Sequence, residues 1–452
     1  MASFISLRKV VSCQLSRRCM STSTLLRQSS NGHSYGGLCD GKSQNRYQHK
    51  QKLDHVRYQS NKPKSADDTI SVSMSNRQRY INNNVLETID LSPLDDIHKD
   101  GVFTRNIENY IGTVKIPIGM VNVDVNGMYA KGSFSVPMAT TEAALVASYS
   151  RGCKLVSVCG GINTVVVEKT VQRAPEFLFA NISDANIFYR WFNRPEMFDR
   201  IKKAAETTTN YGKLKKTAAT LHGNKVLTKF MYETGNASGQ NISTFATNVA
   251  ITEFLQDSPI QPQKWWLDAG GSQDKKASSG LFNNSRGVYV TGEVICPKDA
   301  VEQILKTTVD NLNEISESVT ISQYMQGVTG LTCHAANALT AIFIACGQDV
   351  ACVVESHVGV TEMRKTPEGD LRVRLTIPSM MIGTVGGGTD LPSQNTCLSM
   401  IQLPEENSRD ALAEVIMGVL LGGELSLSAA MTAHHFSAAH KKFARSGVTK
   451  RV

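Results

Sequence analysis

Four short polar segments interrupt apolar or small-residue stretches of the chain and carry side chains suited to acid–base chemistry. They are Glu142 after PMATT, the triplet Asp274-Lys275-Lys276 after AGGSQ, Asp349 at the end of an apolar run, and a late segment with His434, His435 and His440. A carboxylic acid, a lysine, an aspartate and a histidine are sufficient for proton transfer coupled to stabilisation of an oxyanion. Their types therefore indicate an enzyme and leave the reaction open.

Each of these segments also has a purely structural interpretation. A glutamate at a helix N-terminus more often interacts with the helix dipole than with a substrate. Asp-Lys-Lys is common in solvated turns, and Asp349 is placed where a helix would end. The three histidines have no cysteine or carboxylate close to them in the sequence, which argues against a metal centre. We therefore predict no bound metal.

A glycine-rich segment at residues 383–389, with the sequence GTVGGGT, has two interpretations. Glycine permits close approach of the backbone to a ligand, and the same composition is typical of a tight turn between a strand and a helix. No G-x-G-x-x-G motif follows a predicted strand in the sequence, so a Rossmann dinucleotide site is not supported. Residue spacing by itself indicates an α+β enzyme of unknown reaction.

The elements that would position these residues alternate between strands and helices. The sequence predicts strand-like structure over 112–132, a helix whose first turn contains Glu142, and a compact α+β module over 175–267. It also predicts helices at 198–206, 243–255, 298–315 and 335–346, and strands at 226–231 and 371–377. Residues 410–442 are predicted to be largely helical, with an interruption at Gly422 and Gly423 because glycine weakens helices.

Composition limits the class of protein. The 452 residues are 41% hydrophobic and 19% charged, which permits a sizeable core. The longest uncharged apolar stretches, 335–348 and 415–423, are shorter than the roughly 20 residues that span a bilayer, so we expect no membrane span. The cysteines after residue 39 are scattered without a C-x-x-C pair, which indicates reduced thiols rather than a zinc or disulfide framework.

The formal charge of +8 is concentrated at the N-terminus. Residues 1–64 contain 12 Lys and Arg against 2 Asp and Glu, so the remainder is nearly neutral, which argues against a nucleic-acid surface. Residues 1–39 are rich in Ser and Arg and lack acidic residues, which is typical of a mitochondrial transit peptide. We therefore expect the mitochondrial matrix; the alternative is a basic arm without targeting function on a cytoplasmic protein. Residues 40–84 are predicted to be a polar linker.

Six segments together resemble one family. VPMATTEAALVAS, SRGCK, QDKK, CHAANALTAIFIACGQD, IGTVGGGTDLP and GGELSLSAAM occur in this order, and between about residues 107 and 446 the chain resembles the 3-hydroxy-3-methylglutaryl-CoA (HMG-CoA) reductases of eukaryotic type. The resemblance implies an α+β fold with a large domain, 111–174 and 268–452, built around a long central helix that we place at 335–346. It also implies a small ferredoxin-like, non-Rossmann cofactor domain inserted at 175–267. A short helical segment at 85–110 precedes both domains.

The resemblance further implies a two-step reduction of HMG-CoA to mevalonate and CoA with two NADPH, NADH being the alternative hydride donor. Carried over by motif, the catalytic residues are Glu142, Lys275, Asp349 and His440. Lys275 would stabilise the oxyanion, and His440 would protonate the departing CoA thiolate. Glu142 would supply a proton in the second reduction, and Asp349 would hydrogen-bond Lys275 and Glu142. The implied assembly is a homodimer or homotetramer with active sites between subunits.

Further residues are assigned to ligands by the same resemblance. Those for the substrate and CoA are Ser148, Arg151, Lys154, Arg173, Asp274, Lys276, Lys306 and Asn337, the first three in a phosphate-binding loop around SRGCK. Those for the nicotinamide cofactor are Thr209, Asn210, Asn236, Ala237, Ser238, Gly239, Gln240, Asn241 and Arg445.

Several of these positions depart from the pattern of the family. The cofactor motif G-D-A-M-G-M-N has Asn236, Ser238 and Gln240 here, and an upstream Ser-Arg pair is replaced by Thr and Asn210. A serine expected at the HMG group is Asp268, and no Lys or Arg occurs in 307–363, where the family has a substrate-binding lysine. Two hypotheses follow. The chain is a working reductase with altered ligand preference, or a diverged relative of low activity that serves as a binding or oligomerisation partner.

Overall fold

The computed structural model describes residues 106–433. The predicted transit peptide, the linker and most of the predicted helical segment at 85–110 lie outside these residues, as do the three late histidines and Arg445. The helices of the described part are α1 (Leu145–Val158), α2 (Ile182–Phe192), α3 (Pro195–Glu206), α4 (Gln240–Phe254), α5 (Lys298–Leu305), α6 (Val309–Met325), α7 (Ala335–Ala345), α8 (Val353–Ser356), α9 (Pro392–Met400) and α10 (Ser408–Thr432). The strands are β1 (Ile118–Asn126), β2 (Lys131–Ala139), β3 (Ile162–Arg173), β4 (Glu176–Leu178), β5 (Lys213–His222), β6 (Lys225–Glu233), β7 (Lys264–Trp266), β8 (Gly287–Cys296), β9 (Val360–Lys365) and β10 (Leu371–Met380).

Strand β3 belongs to two sheets. Its first part pairs antiparallel with β8 and parallel with β1, and the first sheet continues from β8 through β10 to β9. Its last three residues pair antiparallel with β6, which also pairs with β4 and β5, and β7 follows β4. The predicted α+β class is confirmed, with one continuous strand connecting the two sheets.

Two hydrophobic cores accompany the two sheets. The large core packs α1, α7 and α10 against the sheet that contains β8 and β10. The small core is formed by residues between Phe177 and Leu267 and is rich in aromatic rings, such as Phe188 and Phe254 with centroids 6.4 Å apart. Aromatic side chains bury a large area each. The 175–267 segment therefore has a core of its own.

The central helix of the large core is α10, so the placement of the central helix at 335–346 was wrong. Of its 25 residues 20 are buried, whereas α7 has only 11 residues. The predicted interruption at Gly422 and Gly423 was also wrong, because both glycines lie inside the continuous helix where it crosses α1. A Cβ atom on Gly423 would lie 2.1 Å from the ring of Tyr149, and one on Gly422 would lie 2.7 Å from the sulfur of Cys153. Close helix packing, and not a helix break, requires these glycines.

Two buried glutamates of α10 bind main-chain N–H groups of distant segments. Glu414 accepts hydrogen bonds of 2.8 Å from Met128, Tyr129 and Ala130 in the β1–β2 turn. Glu424 accepts hydrogen bonds of 2.7 to 3.1 Å from residues 333–335 at the N-terminus of α7. A carboxylate at a helix N-terminus satisfies otherwise unpaired N–H groups. Helix α10 thereby connects the first hairpin and α7.

Helix α10 also has the length and hydropathy of a membrane-crossing helix, the only such helix among residues 106–433. Of its most apolar window, 78% is buried inside the fold. Burial of this extent is typical of the core helix of a folded domain.

Two predicted helix boundaries differ from the structure. The helix expected to include Glu142 begins only at Leu145, because Ala144 adopts a left-handed backbone with φ 69°. The helix expected over 298–315 is divided into α5 and α6, with Lys306 in a left-handed conformation (φ 59°) between them and Thr308 accepting the N–H of Asn311 as the new N-cap. The other helices and strands predicted within residues 111–433 are present with shifted ends.

Candidate active site

A cavity of about 820 Å³ lies beside the N-terminus of α4 and the C-terminus of α7. Its wall includes the 237–242 segment, Lys275, Asp349 and the glycine-rich segment 383–389. Pockets of roughly 300–1,000 Å³ are typical of small-molecule and cofactor sites. Candidate catalytic and cofactor-binding residues from distant parts of the sequence therefore surround one volume.

Lys275 and Asp349 form an ion pair at this cavity. The Nζ atom of Lys275 lies 3.0 Å from Oδ2 of Asp349, and 43% and 39% of the two side chains are exposed, so a ligand can reach both. The hydrogen bond to Asp349 raises the pKa of Lys275. Burial alone would raise the pKa of Asp349, but the hydrogen bond and charge of Lys275 outweigh burial and lower it. The pair is thus an ammonium and a carboxylate at neutral pH.

Gln240, the first residue of α4, extends from the small core to this ion pair. Its side-chain amide lies 3.4 Å from Oδ2 of Asp349 and 3.4 Å from the sulfur of Cys352. Its main-chain oxygen accepts a hydrogen bond of 3.3 Å from Arg173. The motif comparison placed Gln240 near the cofactor and missed its contact with the catalytic carboxylate.

Arg173 and Asp274, both assigned to the substrate, contact each other. One guanidinium nitrogen of Arg173 lies 3.0 Å from Asp274 and 3.5 Å from Asp268. The side chain of Lys276 donates a hydrogen bond of 3.1 Å to the main-chain oxygen of Asp274. Arg173 therefore already has two carboxylate partners, one of them the unusual Asp268.

Glu142 is placed apart from the ion pair. It lines a second cavity of about 230 Å³ between the start of α1 and α7, and Asn337 of α7 donates a hydrogen bond of 3.4 Å to its carboxylate. Among residues 106–433 no hydrogen bond joins Glu142 to Lys275 or Asp349, so the hydrogen bond predicted from Asp349 to Glu142 is not found. The fourth predicted catalytic residue, His440, lies outside the described residues.

The SRGCK segment was predicted to be a phosphate-binding loop. The prediction of a loop was wrong, because the segment is part of helix α1. Arg151 donates hydrogen bonds of 3.1 Å and 2.6 Å to the side-chain and main-chain oxygens of Ser426 on α10, and Ser148 lies 3.1 Å from the same hydroxyl. Burial lowers the pKa of Arg151. Lys154 is exposed on the same helix, and Lys306 follows α5, which packs against α1.

Most contacts that shape the cofactor segment 235–241 include at least one main-chain group. Ala237 forms a parallel bridge with Val385, and the N–H of Thr384 donates a hydrogen bond of 2.9 Å to the oxygen of Asn236. A Cβ atom on Gly383 would lie 2.5 Å from the nitrogen of Ser238. The glycine-rich segment is thus a turn between β10 and α9 whose glycine permits close approach to another backbone, while the same segment also lines the cavity.

The predicted cofactor residues do not all line this cavity. Ala237, Ser238, Gly239, Gln240 and Asn241 do. The side chain of Asn236 instead lies 3.4 Å from the main-chain oxygen of Glu405 and 3.4 Å from the N–H of Arg409, at the start of α10. Thr209 accepts N–H groups of its own turn at 3.1 Å, and Asn210 is exposed.

Fold and site together define an α+β enzyme whose ligand cavity contains an ammonium–carboxylate pair suited to stabilising an oxyanion. The family model for hydroxymethylglutaryl-coenzyme A reductase matches residues 73–445. The chain therefore belongs to the HMG-CoA reductase family, as its sequence motifs predicted.

Individual relatives agree with this assignment. The chain is 38% identical over 348 residues to the 3-hydroxy-3-methylglutaryl-coenzyme A reductase of Pyrococcus abyssi, covering 75% of this chain and 85% of the relative. It is 35% identical over 350 residues to 3-hydroxy-3-methylglutaryl-coenzyme A reductase 1 of Dictyostelium discoideum. That similarity covers 75% of this chain and 62% of the relative. Because archaeal and eukaryotic proteins both match, the comparison does not single out the eukaryotic type.

Solved structures share the fold. The class II 3-hydroxy-3-methylglutaryl-CoA reductase of Streptococcus pneumoniae, bound to NADPH in open conformations, has a TM-score of 0.58 and 16% sequence identity. The similarity covers 87% of this chain and 100% of that chain. At this identity the likeness shows the fold.

Proposed function

We propose that this protein reduces HMG-CoA to mevalonate and CoA with NADPH as the hydride donor. Membership of the family supports the reaction, and the observation that carries it is the 3.0 Å contact between Lys275 and Asp349 at the large cavity. This contact holds in place the ammonium that the chemistry requires, whereas an inactive binding partner would not need it. No observation favours that alternative.

The residues around the large cavity fit a nicotinamide cofactor. The main chain of 237–242 lines a volume of about 820 Å³ together with Lys275. When bound there, NADPH would supply the hydride. The chain itself would supply the surrounding wall and the charges that act on the substrate.

Lys275 and Asp349 have complementary roles in this proposal. Reduction of a thioester carbonyl places negative charge on its oxygen, and the Lys275 ammonium stabilises that charge. Asp349 keeps Lys275 protonated and restricts its position. Collapse of the resulting hemithioacetal expels CoA thiolate, which His440 protonates by analogy with the family motif. Reduction of the aldehyde needs a further proton, for which we assign Glu142.

The direct test is an assay of the purified full chain with HMG-CoA and NADPH. We expect loss of absorbance at the nicotinamide band, with two NADPH consumed for each mevalonate formed. A chain with Lys298→Ala, which changes an exposed lysine, serves as the control. A folded native chain that forms no mevalonate would refute the proposal.

We propose that the active sites lie between two subunits of a homodimer or homotetramer. The separation of two assigned catalytic residues supports this proposal, because within one chain Glu142 and Lys275 line different cavities. Co-expression of Glu142→Gln and Lys275→Ala chains should then restore part of the activity that each variant lacks. Mixed assemblies with no activity would place the complete site within one chain.

We propose two domains, 111–174 with 268–452 and 175–267, the second contributing the cofactor segment. The confinement of the small core to residues 177–267 supports these boundaries.

We also propose import into mitochondria, on the basis of the acid-free basic composition of residues 1–39. Replacement of Arg8, Lys9, Arg17 and Arg18 with Gln should leave a fluorescent reporter in the cytosol. A reporter that is cytosolic with the native leader would refute import.

A further inference from the structure

Arg286, immediately before β8, is a fully buried arginine next to the candidate active site. Its guanidinium donates hydrogen bonds of 2.6 Å to Asp274, 3.2 Å to Glu355 and 3.1 Å to the main-chain oxygen of Gln172. The main-chain N–H of Arg286 donates a hydrogen bond of 2.9 Å to the buried hydroxyl of Ser379. The three guanidinium bonds fix the side chain relative to three different segments of the chain, and the bond to Ser379 fixes its main chain.

The partner Asp274 immediately precedes Lys275 in an unusual backbone. Gln273 and Lys275 both have left-handed φ values, 62° and 55°. Residues with a Cβ avoid this conformation, so it persists only when surrounding contacts impose it. The ion pair between Arg286 and Asp274 lies between these two residues and is the shortest contact of the Asp274 side chain.

The second partner, Glu355, is also fully buried and belongs to α8. The acceptor atoms of Asp274, Glu355 and Cys352 lie within 4.8 Å of one another, a spacing that would suit a metal ion. The guanidinium of Arg286 already bonds both carboxylates, so in this cluster an arginine provides the cation. A buried carboxylate needs hydrogen-bond or charged partners, and Arg286 is the charged partner of Glu355.

We propose that Arg286 is a positioning residue: by binding Asp274 and Glu355 together, it holds the strained 273–275 turn so that the ammonium of Lys275 lies against Asp349 at the cavity. Arg286 itself does not line the cavity. Its effect passes through Asp274 to Lys275. This role rests on the proposed catalytic function of Lys275.

The first test compares Arg286→Lys and Arg286→Met in the full chain. Lysine keeps the charge but cannot bond two carboxylates with the planar fork of arginine. We expect kcat to fall by about 100-fold in both variants, while KM changes by less than about threefold, because misplacement of a catalytic group by about 1 Å has this effect on rate. A folded variant with unchanged kcat would overturn the proposal.

A paired variant guards against loss of folding. Arg286→Met leaves Glu355 buried without its cation, so Arg286→Met with Glu355→Gln removes that charge as well, while Asp274 retains Arg173. We expect this chain to fold and to show the same fall in kcat. Glu414→Gln is the matched control, because Glu414 is an equally buried carboxylate whose partners, residues 128–130, are not in the candidate site. It should lower thermal stability and leave kcat unchanged.

Two further readouts separate positioning from a general structural role. Guanidinium ion added to Arg286→Ala should restore activity at concentrations that do not unfold the protein, and urea should not. The amine of Lys275 should react faster with an acylating reagent in Arg286→Met than in the native chain, because a displaced Lys275 loses Asp349; exposed Lys298 is the internal reference. Equal labelling of Lys275 in both chains, or no rescue by guanidinium, would refute the positioning role.

The labelling rate does not depend on any enzymatic assay. A native chain without reductase activity would refute the proposed function, while faster labelling of Lys275 in Arg286→Met would still support positioning by Arg286. Normal native activity with unchanged kcat in the folded variants would refute only the positioning role.

Discussion

The surroundings of Lys275 and the cofactor segment 235–241 are built by different means. Around Lys275, charged side chains from four parts of the chain contact one another, and each has an ionic partner. Around 235–241 most contacts include at least one main-chain group, as in the bridge from Ala237 to Val385 and the hydrogen bond from Arg409 to the main-chain oxygen of Ala237. Main-chain contacts do not depend on side-chain identity. The bridge to Val385 and the bond from Thr384 can therefore form although Asn236, Ser238 and Gln240 depart from the family motif.

This contrast predicts that substitutions near Lys275 will affect activity far more than substitutions in or near the cofactor segment. The largest effect is expected for Lys275→Ala. Loss of an oxyanion-stabilising group lowers kcat by roughly 100- to 1,000-fold. Steady-state kinetics with HMG-CoA, together with circular dichroism to verify folding, measures it. Retention of more than a tenth of native kcat would contradict the assigned role.

The next effect is expected for Asp349→Asn, which keeps the shape and removes the charge. Asp349 raises the pKa of Lys275, so the native ammonium persists to higher pH than an isolated lysine, and activity should decline only above the ordinary pKa of a lysine side chain. In Asp349→Asn this decline should move to lower pH, with kcat reduced by about 100-fold. The pH dependence of kcat measures both. An unchanged alkaline limb would show that Lys275 is not the titrating group.

A smaller effect is expected for Asn210→Arg, on cofactor choice. Asn210 is exposed and occupies the place of an arginine in the family pattern. A guanidinium bonds phosphate with two charge-assisted hydrogen bonds, which an amide cannot reproduce. We expect the ratio of kcat/KM for NADPH over NADH to rise by about tenfold, from a relaxed native preference. A native preference for NADPH above about a hundredfold, or no change in the variant, would contradict this expectation.

The smallest effect is expected for Gln240→Met. Gln240 belongs to the cofactor segment, and its side chain contacts Asp349, the partner of Lys275. The Gln240 hydrogen bond to Asp349 contributes to the lowered pKa of that carboxyl. Without this hydrogen bond the pKa of Asp349 in the folded protein rises, so the loss of activity on acidification should begin at higher pH. Because the contact is long, at 3.4 Å, kcat/KM should fall by only a few-fold. An acid limb identical in both chains would indicate that Gln240 does not act on Asp349.

Local sequence patterns predicted many elements because helices and strands impose periods that can be read directly. The helix ending near Ala345 and the strand starting at Leu371 are examples. Gly422 and Gly423 were misread as a helix break because the requirement for them comes from α1, more than 250 residues earlier in the chain. Local helix propensity carries no information about such tertiary contacts.

The candidate site was predictable only in part. The Lys275–Asp349 pair followed from motifs of a known family, since residues 74 apart give no local signal of contact. Arg286 and Glu355 were missed. Glu355 is a single charged residue within an apolar stretch, a pattern that indicates a buried charge with a partner, whereas Arg286 follows the polar residues 283–285 and has no such signal. Sequence alone does not identify that partner.

The contacts of α10 also determine the order in which the chain can complete its structure during synthesis. The small core is finished once residue 267 has been made. The large core waits for α10, because the turn after β1 and the first turn of α7 both need the carboxylates of Glu414 and Glu424. On the ribosome we therefore expect the inserted segment to reach its final packing first, because the hairpin that precedes it must wait for Glu414, 286 residues after Met128. A nascent chain halted before Ser408 would hold a folded small core next to an open large one.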